Sequence, residues 1–271
     1  MMSQNLIDYL FESGAYKFDL ENPFIYVSKT VHPDYVNLGN LFTHVPGREM
    51  AINLLVELIS KLGYFDAISG GVVRDLPFAS IVAHQLQKPL LVIRKEKKGY
   101  GARDRVIGCY SPGQKVINVA DLITYGDSAT GWVNALRELG LEIDNYCVVV
   151  DRNQGGGEAL QELNPPVQLY GLIRMDETFY REAVERGFIP ESSFEEMMRY
   201  RANPREWGIL YLRQHPNFIR DHVDPDHDYW SGVEIIHTGY PELIPEFESM
   251  MRMWFGDDYI EYLERLRDEN G

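Results

Sequence analysis

Residues 115–131, KVINVADLITYGDSATG, hold the densest set of groups able to act on an anion. An apolar run ends in a carboxylate, Asp121. Leu122-Ile123 follows, and the polar turn Thr124-Tyr125-Gly126-Asp127-Ser128 then leads into a helical pattern. A short polar turn entering a helix presents unpaired backbone N–H groups, and the positive end of the helix dipole, to an anion. A carboxylate at the strand tip is placed to accept hydrogen bonds from sugar hydroxyls or to approach a metal ion. An ordinary strand–turn–helix capped by Thr124 or Asp127 has the same pattern. The segment by itself supports both readings equally.

Three other segments carry charge directly after apolar runs. RKEKKGYGARDR (94–105) follows Leu90-Leu91-Val92-Ile93 and has six basic residues against two acids. Such a block can hold a polyanion through charge-assisted hydrogen bonds, although its composition alone fits a solvated loop. Asp151-Arg152-Asn153-Gln154 precedes three glycines (155–157), and a guanidinium there is suited to gripping a carboxylate or is a surface arginine. SGGVVRD (69–75) sets Arg74 after paired glycines. The Asp/His run DHVDPDHD (221–228) could ligate a metal but reads as a solvated acidic loop. Trp207, Trp230 and Trp254 read as packing residues.

These segments need elements to aim them. Periodicity predicts helices over 5–12, 46–63, 77–86, 127–139 and 158–163. Strands are predicted over 23–29, 34–38, 65–71, 90–95, 106–110, 114–119, 145–151 and 167–174. Strand and helix alternating every 20–30 residues imply an α/β fold, with a mainly parallel sheet and helices on both faces. In such sheets ligands bind at the C-terminal ends of the strands. The four charged or glycine-bearing exits, after Ser69, Ile93, Val119 and Val150, therefore converge on one edge. From Asp176 the chain is helical and acidic, with a loop at 215–232 and a helix or two over 245–267 broken near Gly256-Asp257.

The 271 residues, 45% hydrophobic, suffice for one large domain or for a smaller one with an extension. Net charge is -15, and residues from 176 onward supply -12 of it, from 22 acids and ten arginines. All eight lysines lie at or before Lys115. The overall balance excludes a surface that binds nucleic acid or anionic lipid throughout. Cys109 and Cys147 adjoin apolar stretches and are expected to be buried free thiols of a reducing cytoplasm. The N-terminus lacks a signal-peptide pattern, and no apolar run is long enough to span a bilayer.

The four-apolar, acid, Ile-Thr-x-Gly-x-Ser pattern ending at Ser128 resembles the 5-phosphoribosyl 1-diphosphate (PRPP) motif of type I phosphoribosyltransferases. LPFASIVAHQLQKPLLVIRKEKKGYG (76–101) and VVVDRNQGG (148–156) are similar to segments of the orotate phosphoribosyltransferases, in the family's order and at about its spacing. LIDYLFESGAYKF (6–18) and HPDYVNLGNL (32–41) resemble the family's opening helix and a stretch that follows it. The likeness runs from about Leu6 to Arg174. It implies a phosphoribosyltransferase-like domain over 1–213, with a hood at 1–45 and a core at 46–213. An acidic helical extension over 214–271 matches nothing in the family.

The resemblance implies transfer of phosphoribosyl from PRPP to orotate, releasing pyrophosphate, with Mg²⁺ carried mainly by PRPP and touching at most Asp121. Arg74, Arg94, Lys95 and Lys98 would bind pyrophosphate. Thr124, Tyr125, Gly126, Asp127 and Ser128 would cradle the 5-phosphate, and Asp121 would hold ribose hydroxyls. Asp121 and Lys98 are the expected catalytic residues, and Lys29 and Arg152 the expected orotate-binding ones. Loop 99–105, with Tyr100 where the family has His, would reach the partner's site in a homodimer. The family motif has two adjacent acids, whereas the first is Ala120 here. Asp127 stands where the family has Gly or Thr. A transferase for another nucleobase, or a catalytically silent PRPP- or nucleotide-binding regulatory protein, is the alternative. Lys98→Ala is expected to cut turnover far more than it lowers the thermal midpoint. Equal activity would remove the loop from the reaction.

Overall fold

The computed structural model describes residues 5–94 and 105–270, apart from the side chains of 267–270. The chain forms two compact units. The first comprises Val36–Ile189 together with the segment ending at Lys17. The second comprises Phe18–Tyr35 together with the segment from Pro190 onward.

The first unit is built on a six-stranded sheet of β1 (Ala67–Gly71), β2 (Leu90–Ile93), β3 (Val106–Ile107), β4 (Lys115–Ile123), β5 (Glu142–Asp151) and β6 (Gln168–Arg174). The order is β6-β5-β4-β1-β2-β3. Neighbours are parallel except for the antiparallel β2–β3 pair. The middle strands are apolar runs, such as Val148-Val149-Val150, because both of their faces are covered.

Besides the short helix Gly39–Thr43, the helices of this unit are α1 (Leu6–Glu12), α2 (Val45–Ser60), α3 (Leu76–Gln85), α4 (Asp127–Arg137), α5 (Gly156–Gln161) and α6 (Glu177–Glu185). Adjacent strand residues point to opposite faces, and Gly70-Gly71 use that alternation. A Cβ on Gly70 would lie 2.5 Å from Ala79 Cβ of α3, and one on Gly71 would lie 2.6 Å from the Trp132 ring of α4. The paired glycines thus let one helix close down on each face of β1. Beneath α4, Trp132, Val133 and Leu136 join β5 residues Tyr146 and Val148 in one apolar cluster.

Three sequence expectations are corrected here. β4 runs through Asp121 to Ile123, so Asp121 lies within the strand and not at its tip. The strand expected over 106–110 stops at Ile107, before Gly108 at φ 131°. Cys109 is exposed beyond that turn, so Cys147 alone is a buried thiol, although both are free.

In the second unit the strands Phe24–Ile25 and Val31–His32 form a hairpin that packs with helices of the chain's last third. α7 (Phe194–Ala202) contributes Tyr200, whose hydroxyl donates to Asp34 Oδ1 at 3.1 Å and lies 2.9 Å from His32 Nδ1. Tyr211, in α8 (Pro204–Gln214), donates to the Glu21 carbonyl at 2.8 Å. Val31 N–H donates to Tyr240 Oη at 3.0 Å. The stretch expected as a loop over 215–232 contains the short helix Asn217–Asp221. The last helix, Ile244–Asn270, breaks at Gly256 as its sequence predicts. Trp207 and Trp230 are buried, the latter stacked on Tyr262 at 4.6 Å.

A Cβ on Gly239 would lie 2.1 Å from the carbonyl oxygen of Lys29, an atom of the backbone that cannot swing aside. Gly239→Ala is therefore expected to destabilise this unit by about 2–3 kcal/mol. Thermal denaturation checks this, and an unchanged midpoint would show that the hairpin can yield.

Candidate active site

The strand order reverses between β1 and β4. The chain leaves β1 toward β2 on one side and leaves β4 toward β5 on the other. Such a switch point opens a crevice at the carboxyl ends of the strands. A cavity of about 670 Å³ lies there, lined by residues 72–75 and 121–129 with Trp132 and Tyr146.

The turn after β4 forms one wall. Gly126 has φ +95° and caps α4 with no side-chain hydrogen bond. The reading that Thr124 or Asp127 caps this helix is thereby corrected: neither side chain does so, and the opening N–H groups of α4 are left for another acceptor. Asp127 is the first helical residue and is exposed. A Cβ on Gly126 would lie 2.8 Å from Ala159 Cβ, and one on Gly156 would lie 2.9 Å from the Thr124 carbonyl. Gly156 N–H donates to that same carbonyl at 2.9 Å. The glycine run after β5 thus lets the 124–128 turn rest directly on the start of α5.

The opposite wall is the loop 72–75 after β1, which contains a cis peptide between Val72 and Val73. Val72 N–H donates to the Ile93 carbonyl at 2.9 Å, which joins the loop to the end of β2. Arg94, the next residue, exchanges main-chain contact with Arg105, whose guanidinium lies 5.7 Å from the centre of the Trp132 ring.

Between the walls lie two buried carboxylates. Asp75 Oδ2 accepts from Gly71 N–H and Asp75 Oδ1 from Asp121 N–H, both at 3.2 Å. Asp121 Oδ1 accepts from Leu122 N–H at 2.6 Å, while its buried Oδ2 has, among the described residues, no donor other than the Asp75 carboxyl when that group is protonated. Burial, and then the charge of Asp121, push the Asp75 carboxyl up from 3.8 to about 7. Burial also raises Asp121, opposed by the Leu122 N–H, Asp75 and the Arg74 guanidinium. The Tyr146 phenol, fully enclosed and beside both acids, is held well above its ordinary value.

Of the residues expected at a site, Arg74, Asp121, Thr124, Tyr125, Gly126, Asp127 and Ser128 line this one cavity. Arg94 directly follows β2. Arg152 directly follows β5, is 5% exposed, and donates its N–H to the Ile123 carbonyl at 3.0 Å. Lys29 belongs to the second unit, where its ammonium pairs with Glu234 at 2.6 Å. Lys95, Lys98 and Tyr100 lie outside the described residues. Sequence reasoning missed Asp75, Trp132 and Tyr146. Asp75 left a signal, as an acid directly after Arg74 and ahead of a Leu-Pro helix start. The other two read only as core residues. In the 221–228 run, Asp224 pairs with His227 and Asp228 with Arg265.

No family model matches the chain. An orotate phosphoribosyltransferase of Pyrococcus abyssi is 30% identical over 186 residues, spanning 68% of this chain and all of the relative. One from Cereibacter sphaeroides is 30% identical over 210 residues, covering 73% of this chain and 86% of the relative. Among solved structures, the orotate phosphoribosyltransferase of Aeropyrum pernix superposes with a TM-score of 0.58 at 29% identity. That superposition covers 66% of this chain and 97% of the other.

The buried acid pair makes stability depend on pH. Asp75 holds a proton more tightly folded than unfolded, so its contribution is complete below about pH 4 and is lost as pH rises through 7. The thermal midpoint is expected to fall over that window, by up to about 1.4 kcal/mol of stability per pH unit. In Asp75→Asn the slope should flatten whatever the midpoint's absolute value. An unaltered slope would assign the effect to other groups.

Proposed function

The chain belongs to the orotate phosphoribosyltransferase family, and from that premise we infer that it transfers the 5-phosphoribosyl group of PRPP to orotate. The products are orotidine 5-phosphate and pyrophosphate, in pyrimidine biosynthesis. The observation that carries this reading is the switch-point cavity. It joins a helix start that no side chain caps to a buried carboxylate oxygen that accepts no N–H among the described residues.

Each end of PRPP has a matching wall. The 5-phosphate would sit on the N–H groups of the 126–129 turn, where the αL glycine and the helix dipole favour an anion. Thr124 and Ser128 add hydroxyl donors. Asp121 Oδ2 would accept from the ribose hydroxyls. Pyrophosphate would lie toward the 72–75 loop, with Arg74 and Arg94, and with Lys95 and Lys98 from the following segment, to neutralise it. Bond cleavage at C1 leaves positive charge on the ribose ring and negative charge on the departing pyrophosphate. Cations fixed around the leaving group lower that barrier most. Arg152, buried beside the end of β4, would grip the orotate carboxylate with its planar fork.

Mg²⁺ suits this donor set. It is usually held by one or two carboxylates, phosphate oxygens of the substrate and water. Asp121 offers one buried oxygen, and among the described residues no group of three or more ligating side chains could hold an ion unaided. When bound, the ion would neutralise charge growing on pyrophosphate. The free thiols of Cys109 and Cys147 support a reducing, cytoplasmic setting. The family resemblance supports a homodimer in which loop 99–105 reaches the partner's site.

Asp127 favours one rival. Its carboxylate stands at the first position of α4, beside the proposed phosphate cradle, where like charge opposes a phosphate. That suits a protein which binds PRPP without turning it over. Loss of orotate absorbance on mixing protein, PRPP, Mg²⁺ and orotate separates the two. Turnover is expected, with Asp121→Asn lowering kcat/KM about 100-fold. Arg152→Ala should raise the KM for orotate about 10- to 100-fold, the loss of a charged hydrogen-bonding partner. PRPP binding without turnover of any base would leave the silent reading standing.

A further inference from the structure

Asp75 occupies the N-cap position of α3, where an aspartate usually turns its carboxylate onto the first N–H groups of its own helix. Here the side chain makes no capping bond. It reaches across the switch point instead, one oxygen taking Gly71 N–H and the other Asp121 N–H. One carboxylate therefore joins the end of β1 to the end of β4. The space exists because residue 71 is glycine: a Cβ there would lie 2.7 Å from Asp75 Oδ2.

At residue 120 the family motif carries the first of two acids. Ala120 is 1% exposed and sits in the apolar cluster with Trp132 and Val148. The cavity nonetheless has a second buried carboxylate, because Asp75 lines it beside Asp121. Asp121 Oδ1 is committed to Leu122 N–H, so the buried Oδ2 is the oxygen left for a ligand, and its position follows from where the main chain of Asp121 is held. Asp75 is what holds that main chain from the opposite wall.

We propose that Asp75 is a positioning residue that stands in for the acid absent at residue 120 and locks the pyrophosphate loop and the ribose-holding Asp121 into one geometry. This rests on the reading of the cavity as a PRPP site. It adds that the two ends of the site are mechanically one. Disturbing Asp75 must then weaken both ends together, whereas a residue serving one end weakens that end alone.

The test is calorimetric titration of the full chain, at about pH 8.5 where Asp75 is ionised, with pyrophosphate and, separately, with ribose 5-phosphate, both with Mg²⁺ present. In Asp75→Asn both affinities should fall about tenfold, the scale of one lost hydrogen bond to a charged group. In Asp121→Asn only ribose 5-phosphate binding should fall. Asp75→Glu keeps the charge but moves it by one methylene. It should reproduce the paired loss, and it serves if Asp75→Asn does not fold. Removing a negative charge would otherwise improve pyrophosphate binding. Unchanged or tighter pyrophosphate binding in Asp75→Asn, or wild-type affinities in Asp75→Glu, would therefore overturn the proposal while leaving the PRPP reading intact. A wild-type protein that binds neither ligand would overturn both.

Discussion

Two adjacent residues without side chains set the geometry on which the site depends. Gly70 lets α3 approach one face of β1, and Gly71 lets α4 approach the other while leaving room for the Asp75 carboxylate. Any larger residue at 71 would meet the Trp132 ring and that carboxylate at once. Groups from two separate loops, 72–75 and 124–128, share the crevice between β1 and β4. Close packing of this kind also explains why its acids are desolvated, and desolvation is the first cause of the raised titration of both Asp75 and Asp121.

The parallel sheet and its exits were legible in the sequence because they depend on local pattern. An apolar run followed by glycine or charge marks where a buried strand surfaces. Asp121, Gly126 and Ser128 were legible for the same reason, lying together in one strand–turn–helix. Asp75 was not, because its meaning comes from a partner 46 residues away. Its own neighbourhood, an acid before Leu-Pro, describes a helix start. The cap at residue 126 is hidden likewise. Thr124 and Asp127 are good capping types, but a left-handed glycine between them satisfied the turn without either side chain.

The acid-rich last third gave its helical character in sequence and concealed its partner. Charge and periodicity describe surface-exposed helices but say nothing of what their apolar faces cover. The structure supplies the answer in residues 18–35, whose hairpin is too short to be stable by itself. Its buried groups, Val31, His32 and Asp34, are satisfied by Tyr200 and Tyr240. The negative charge and the basic block accordingly belong to separate parts of the chain.

The pairing of that hairpin with the last helices has a consequence for how the protein comes into being. Val31 and Tyr240 are 209 residues apart, and Lys29 and Glu234 are 205 apart. On the ribosome, residues 18–35 emerge before the sheet and then wait while all six of its strands are synthesised, because the tyrosines that complete them follow the sheet in the chain. Chains fold from the N-terminus as they appear, yet this one contains a segment whose maturation is postponed until more than 200 later residues have been made. A polypeptide cut short before Tyr240 would carry the hairpin without the hydroxyl that Val31 N–H pairs with.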